Sequence, residues 1–291
     1  MIDTLNILPG HSIWKPSTEK KKNNCFGLER KEWVLVPFQI EGNDHLAMLE
    51  QILKCLISIK GNTITVFSGG YTKRNFPQTS ESKSYFALMT KYYELLFDRD
   101  ALTQIKKKIL ETKFTTLIFT FNEYSALCKS DIPIDNFFIE EFAMDSYENL
   151  YFSLALFKLK QDIHLLKKVV ICGFEFKEKR FRDLHWKYCG AEKALPDCCV
   201  MFNSNNPIHY DKEKHVSYLQ SVNENEIKFG YEMFLKDPFA IRSKLFEKKN
   251  LRNFRGLSVR SSAFGKYLIE FDPLSSDEQL LDLIEQSELY R

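Results

Sequence analysis

The sequence predicts an α/β protein whose mostly parallel sheet is covered on both faces by helices, with a helical extension behind it. Short β-branched runs alternate with longer amphipathic segments, and the connections between them are a few residues long. At 291 residues the chain is long enough for one large α/β domain with an extension.

Thr4-Leu5-Asn6-Ile7-Leu8 reads as the first strand, ended by Pro9-Gly10. A lysine-rich polar stretch follows from Lys15 to Asn24, and Trp33 to Phe38 is an apolar run whose type the pattern leaves open. Leu46, Leu49, Leu53, Leu56 and Ile57 recur at helical spacing, so 44–59 is a helix, stopped by Gly61-Asn62. Thr63-Ile64-Thr65-Val66-Phe67 is β-branched enough to be the second strand. Tyr85, Met89, Tyr92 and Leu96 share one face of a helix over 80–97. Phe114 to Phe121 reads as a strand, and Phe137-Phe138-Ile139 as a short one. Then come a helix over 146–160, a buried strand from Lys168 to Cys172 ended by Gly173, a basic helix over 177–189, and a strand from Cys199 to Phe202. Beyond Pro207 the pattern changes to helices near 211–235, a basic stretch from Arg242 to Arg260, and an acidic amphipathic tail from Ser276 to Leu289. The change places a core over 1–207 and an extension over 208–291, packed together as a single globular unit.

Composition narrows the function classes. Hydrophobic residues at 44% and charged residues at 27% match a globular chain and exclude a disordered or fibrous one. No apolar run approaches the roughly 18 residues a membrane span needs, and Met1 to Gly10 has neither signal-peptide nor transit-peptide character. The expectation is a soluble, cytoplasmic protein. The 41 basic and 39 acidic residues leave a net charge of +2, which argues against nucleic acid as the partner. The seven cysteines show no C-x-x-C and no metal-ligand spacing, so they read as reduced thiols and no metal is expected.

In an open parallel sheet, ligands sit beyond the carboxyl ends of the strands. The residues placed there are Gly10 and His11 after the first strand, and Ser68-Gly69-Gly70 with Lys73 and Arg74 after the second. Ser80-Glu81 opens the next helix. Glu141, Asp145, Ser146 and Asn149 follow the short strand, and Gly173, Glu175, Lys177 and Arg180 follow the fourth. Each has a plain structural reading. Gly69-Gly70 commonly serves a turn, and Asp145 with Glu148 is a capping box ahead of an apolar helix. Their coincidence at one rim points to a crevice for a small anionic or polyhydroxylated ligand. In that reading the Ser68-Gly69-Gly70 amides and Arg180 hold the anionic part, with Arg252 and Arg255 joining from the basic stretch. Glu81 and Glu141 hold hydroxyls or an amine, and His11 or Glu141 is the candidate general base. No G-x-G-x-x-G and no G-x-x-x-x-G-K-[ST] occurs, so neither standard nucleotide motif is present. Competing readings are a non-catalytic regulator that keeps the pocket, and a nucleic-acid module using Arg242 to Arg260, where Phe246 and Phe254 are interleaved with seven Lys/Arg.

Several of these clusters, in this order, resemble the YdcF/SanA/ElyC-like family of domains of unknown function, and its fungal branch in particular. The carriers are Phe67-Ser68-Gly69-Gly70, Ser80-Glu81-Ser82 and Glu141-Phe142-Ala143-Met144-Asp145-Ser146-Tyr147-Glu148-Asn149. Gly10-His11-Ser12-Ile13-Trp14, Gly173-Phe174-Glu175-Phe176-Lys177 with Arg180-Phe181, Leu184-His185, Asp237-Pro238-Phe239 and Arg252-Asn253-Phe254-Arg255 match the fungal pattern. The resemblance spans roughly residues 5–265. It implies a Rossmann-like three-layer α/β/α fold with ligand residues at the strand ends, and S-adenosylmethionine as one candidate ligand, since some bacterial relatives bind it. The bacterial pattern has a histidine after the fourth strand; this chain has Glu175 or Lys177 nearby instead.

Overall fold

Five strands form one all-parallel sheet in the order β3-β2-β1-β4-β5: β1 Thr4–Pro9, β2 Thr63–Ser68, β3 Phe137–Glu140, β4 Lys168–Phe174 and β5 Cys199–Asn205. The computed structural model describes residues 1–16, 25–128 and 132–291, so most of the lysine-rich stretch over 15–24 lies outside the described residues. Ile7 stands opposite Val66 on one side and Ile171 on the other, which fixes the register of the three central strands. Alternation along the strands feeds two cores. Leu5, Ile7, Val169 and Ile171 face one layer of helices, and Leu8, Phe67, Val170 and Cys172 face the other.

The layer against Leu8 and Phe67 is built by α1 (Asp44–Ser58), α2 (Glu81–Leu95), α3 (Arg99–Glu111) and α4 (Thr115–Tyr124). The opposite layer holds α5 (Ser146–Lys160), α6 (the helical run 178–188) and the C-terminal segment. Side-chain caps set several starts: Ser80 accepts from the Lys83 amide, Asp98 from Ala101 and Asp145 from Glu148.

The segment over 114–121 departs from the sequence expectation. It is α4, a helix rather than a strand. Its β-branched residues suggested a strand, but Leu117, Phe121 and Tyr124 are buried at helical spacing while Phe119 is exposed. Thr116 and Thr120, one turn apart, both donate to the buried Glu50 carboxylate of α1 at 2.7 and 3.3 Å. Tertiary partners decided the period. Helix α3 carried no sequence assignment; only Ile105 and Ile109 of it are buried, too few for a clear stripe. Over 33–38, Trp33 makes an isolated antiparallel bridge to Trp14, and a short helix begins at Pro37.

The C-terminal helix α9 (Asp277–Glu285) and its tail lie on the chain's own core. Leu280, Ile284 and Leu289 are fully buried, and the Tyr290 hydroxyl donates to the Cys189 carbonyl at 2.7 Å. Ending the chain at residue 275 is therefore expected to cost at least about 6 kcal/mol, the low end for losing three buried aliphatic side chains. A urea midpoint equal to that of the full chain would show that the tail contributes nothing to the core.

Candidate functional site

The sheet order reverses between β1 and β4. The segment after β1 leads to α1 on one face, and the segment after β4 leads to 178–188 on the other. Neighbouring strands whose continuations diverge leave a crevice beyond their carboxyl ends. A cavity of ≈ 780 Å³ occupies it, floored by Pro9, Gly10, His11 and Phe174. The extension closes it: α7 (Lys212–Glu226) contributes Tyr218 and Glu226, and α8 (Lys244–Arg252) contributes Lys248, Lys249 and Arg252.

Positive charge gathers on one wall. Arg180, 8% exposed, places Nη1 3.1 Å from Glu226 Oε1, while its Nε is buried with no partner. Each residue of this ion pair is followed directly by a π-helical turn, Phe181–His185 after Arg180 and Ile227–Tyr231 after Glu226. Gly230 makes room for the pair, since a Cβ there would stand 2.5 Å from Glu226 Oε1 and 2.6 Å from Arg180 Nη1. Arg252 donates through Nη1 to the Met144 carbonyl at 2.6 Å. Lys249 is neutralised locally by Glu148 at 2.9 Å and Asp145 at 3.6 Å. Lys177 has no carboxylate within salt-bridge distance among the described residues, and burial, Arg180 and Arg252 push its ammonium down to about 7 against the pull of Glu226 and Glu81. Such mutual discouragement marks a cation cluster short of counter-charge.

Two histidines, His11 half-buried and His185 fully buried, edge this wall. Burial, with Lys177 and Arg180 nearby, holds His11 neutral; its Nδ1 lies 3.1 Å from Lys177 Nζ. Burial and Arg180 likewise hold His185 neutral, and its Nε2 is 2.8 Å from Ser146 Oγ while Nδ1 has no partner. An orphaned buried N–H costs more than an orphaned lone pair, so satisfaction assigns the His185 proton to Nε2, donating to Ser146. The Ser146 hydroxyl then keeps its own proton for the cavity that it lines.

Acidic groups line the cavity as well. Glu81, 7% exposed, accepts from the Thr72 hydroxyl, and burial pushes the Asp44 carboxyl up to about 7. Gly10 packs on Glu81: a Cβ would lie 2.5 Å from Glu81 Cβ and 3.0 Å from its Oε2. Gly10→Ala is expected to cost about 1–3 kcal/mol, the range for overpacking a tight contact. A melting temperature equal to that of the wild type would show that this contact relaxes freely.

Of the residues selected from sequence, the structure brings Gly10, His11, Lys73, Glu81, Asp145, Ser146, Asn149, Arg180 and Arg252 to the cavity. The others lie outside its lining, each with a structural occupation. The Gly69 and Gly70 amides donate to the Glu140 and Ala143 carbonyls at 3.0 and 2.7 Å, which leaves them nothing for an anion. Ser68 is fully buried between Glu140 and Asn149 at 2.6 and 2.8 Å. Ser80 caps α2 and donates to Glu141 at 3.0 Å. Glu141 pairs with Lys83 at 2.9 Å and accepts from the Tyr71 hydroxyl at 2.8 Å, beside the cavity rather than in it. Gly173, in β4, pairs with Ser204 of β5, and Glu175 accepts from Asn206 at 2.7 Å. Arg255 lies 4.0 Å over the Tyr71 ring.

Sequence reasoning left out Glu226, Lys248, Asp44 and His185 as site residues. His185 follows Arg180 within the same helical run, so that spacing was available as a signal; the other three carry no local motif. Of the seven basic residues over 242–260, Arg242, Lys249, Arg252, Arg255 and Arg260 are engaged by groups of the same chain. Among the described residues no group of three His, Cys, Asp or Glu could hold a metal ion, and no helix is long and apolar enough to cross a membrane.

The chain is similar to an uncharacterized protein of Saccharomyces cerevisiae, 28% identical over 265 residues that cover 86% of this chain and 83% of that protein. No family model and no solved structure matches it.

Proposed function

We propose that the crevice binds a small anionic metabolite of the phosphorylated or nucleotide-like class. The observation that carries this reading is the buried, unpartnered Nε of Arg180 in a cavity lined by seven Lys and Arg side chains against five Asp and Glu. A guanidinium with a spare N–H suits a phosphate or carboxylate oxygen. Phe174 and Phe176, stacked with centroids 5.0 Å apart, give the same cavity an apolar side for a base or an alkyl chain. Glu81 and Asp145 are placed for hydroxyls. Membership of the YdcF-like family, and a cytoplasmic setting, fit this reading and form part of the proposal.

S-adenosylmethionine, the ligand suggested by the bacterial resemblance, fits less well. It carries a sulfonium and an ammonium against one carboxylate, and the cation cluster opposes both. Thermal melts with adenosine diphosphate, inorganic pyrophosphate and S-adenosylmethionine separate the classes. A ligand at about 100 times its Kd stabilises by roughly 2.7 kcal/mol. The phosphorylated compounds are expected to raise the melting temperature. A rise with S-adenosylmethionine alone, or with none of the three, would overturn the assignment.

A further inference from the structure

We propose, resting on the anionic-ligand reading above, that Lys177 is an imine-forming lysine and that the ligand is a phosphorylated aldehyde or ketone. Nothing else in the cavity combines a basic nitrogen, a proton acceptor and an anion site so closely. Lys177 lines the cavity, and its Nζ lies 3.1 Å from Nδ1 of a neutral His11 and 5.6 and 5.9 Å from the centroids of the Phe174 and Phe176 rings. Every other cavity lysine differs in a way that matters. Lys249 is held by two carboxylates, Lys214 is paired with Asp211 at 3.9 Å, and Lys73 and Lys248 have no histidine partner among the described hydrogen bonds. The groups acting on Lys177 come from several elements: His11 beyond β1, Arg180 on the following helical run, Glu81 on α2, Glu226 on α7 and Arg252 on α8. Their balance, with burial, brings its ammonium within reach of neutrality near pH 7, the condition under which a lysine amine is a nucleophile.

The chemistry balances within the cavity. His11 Nδ1 accepts one proton from the Lys177 ammonium. The freed lone pair attacks the carbonyl carbon, forming the C–N bond as the C=O π pair moves to oxygen. The carbonyl oxygen takes the proton back from His11 and, with a second proton from the amine nitrogen, leaves as water. An imine between Nζ and the ligand carbon remains. Arg180 Nε and Arg252 supply the contacts for the phosphate, which fixes the carbonyl at Lys177 rather than at an exposed lysine.

The test uses the full chain at pH 7 with glyceraldehyde 3-phosphate, followed by sodium borohydride, which delivers hydride to the imine carbon and locks it as a secondary amine. Intact mass and peptide mapping then locate the adduct. The expected result is one reduced adduct per chain on Lys177, suppressed by excess inorganic pyrophosphate, absent in Lys177→Arg, and slowed about a hundredfold or more in His11→Asn, the low end of what a proton-transfer partner supplies. Unphosphorylated glyceraldehyde is expected to label poorly. An adduct spread over exposed lysines, or a Lys177 adduct that pyrophosphate does not suppress, would overturn the assignment. Melts of the wild type with pyrophosphate keep the two readings apart. A pyrophosphate shift without a Lys177 adduct removes the imine and leaves the anion site, whereas neither shift nor adduct removes both.

Discussion

Arg180→Ala is expected to lower the free energy of unfolding by about 3–5 kcal/mol, the range for removing one partner of a buried ion pair. Both members are shielded, with 10% of the Arg180 side chain and 13% of the Glu226 side chain exposed, so truncation leaves a carboxylate without its guanidinium in a low-dielectric wall. The loss is one of compensation. Arg180→Ala combined with Glu226→Ala is therefore expected to recover much of it, and a double-mutant cycle in urea reads the coupling directly. The single variant also removes the spare Nε donor. Affinity for pyrophosphate is expected to fall about tenfold to a hundredfold, which corresponds to a hydrogen bond to a charged group of about 1.5–3 kcal/mol. A single variant as stable as the wild type would show that water already compensates Glu226.

The second large effect is a pH dependence centred on Glu140. Its carboxyl is fully buried at the end of β3, where it accepts from the Phe142 and Ala143 amides at 2.5 and 2.9 Å and meets Ser68 Oγ at 2.6 Å. Burial pushes it up to about 7 from an ordinary 4.5, against the pull of those donors. The proton inventory agrees. Ser68 has one hydroxyl proton for two acceptors, Glu140 Oε2 and Asn149 Oδ1, so a protonated Glu140 donating to Ser68 satisfies the whole chain. Because the folded value lies above the unfolded one, the folded state binds the proton more tightly. Stability is then full below about 4.5 and declines as pH rises to about 7, by about 3 kcal/mol for this group alone. Asp44, also pushed up to about 7, acts in the same direction. Glu140→Gln mimics the protonated form. It is expected to flatten the Glu140 part of the profile and to be more stable than the wild type at pH 8. A parallel profile for the two proteins would show that Glu140 is ionised throughout.

Much of the fold was legible in the sequence because its central strands are continuous β-branched runs and its main helices carry a clear apolar period. Thr63–Ser68 and Asp44–Ser58 fall within a residue of their expected bounds. Where a segment's partner lies elsewhere in the chain, the pattern misled. The threonines of α4 answer to Glu50, and Glu50 sits about 70 residues earlier. The same distinction runs through the site. Residues at strand ends were found by the rule that ligands gather there, and His11, Glu81 and Arg180 do line the cavity. The rule does not say whether a strand-end amide is already spent, and those of Gly69 and Gly70 are. Nor does it reach Glu226 or Lys248, which arrive from the extension and matter only once α7 and α8 lie across the crevice.

An anion site built by Arg180 and its cationic neighbours should hold inorganic pyrophosphate in this crevice. Calorimetric titration of the full chain with inorganic pyrophosphate tests it most directly, run at two salt concentrations and repeated on Arg252→Gln. One saturable site per chain is expected, weaker at higher salt and weaker again by about tenfold or more in the variant, the factor that losing a charge-assisted contact gives. Saturable binding of equal strength in wild type and variant, or no saturable heat at all, would contradict it.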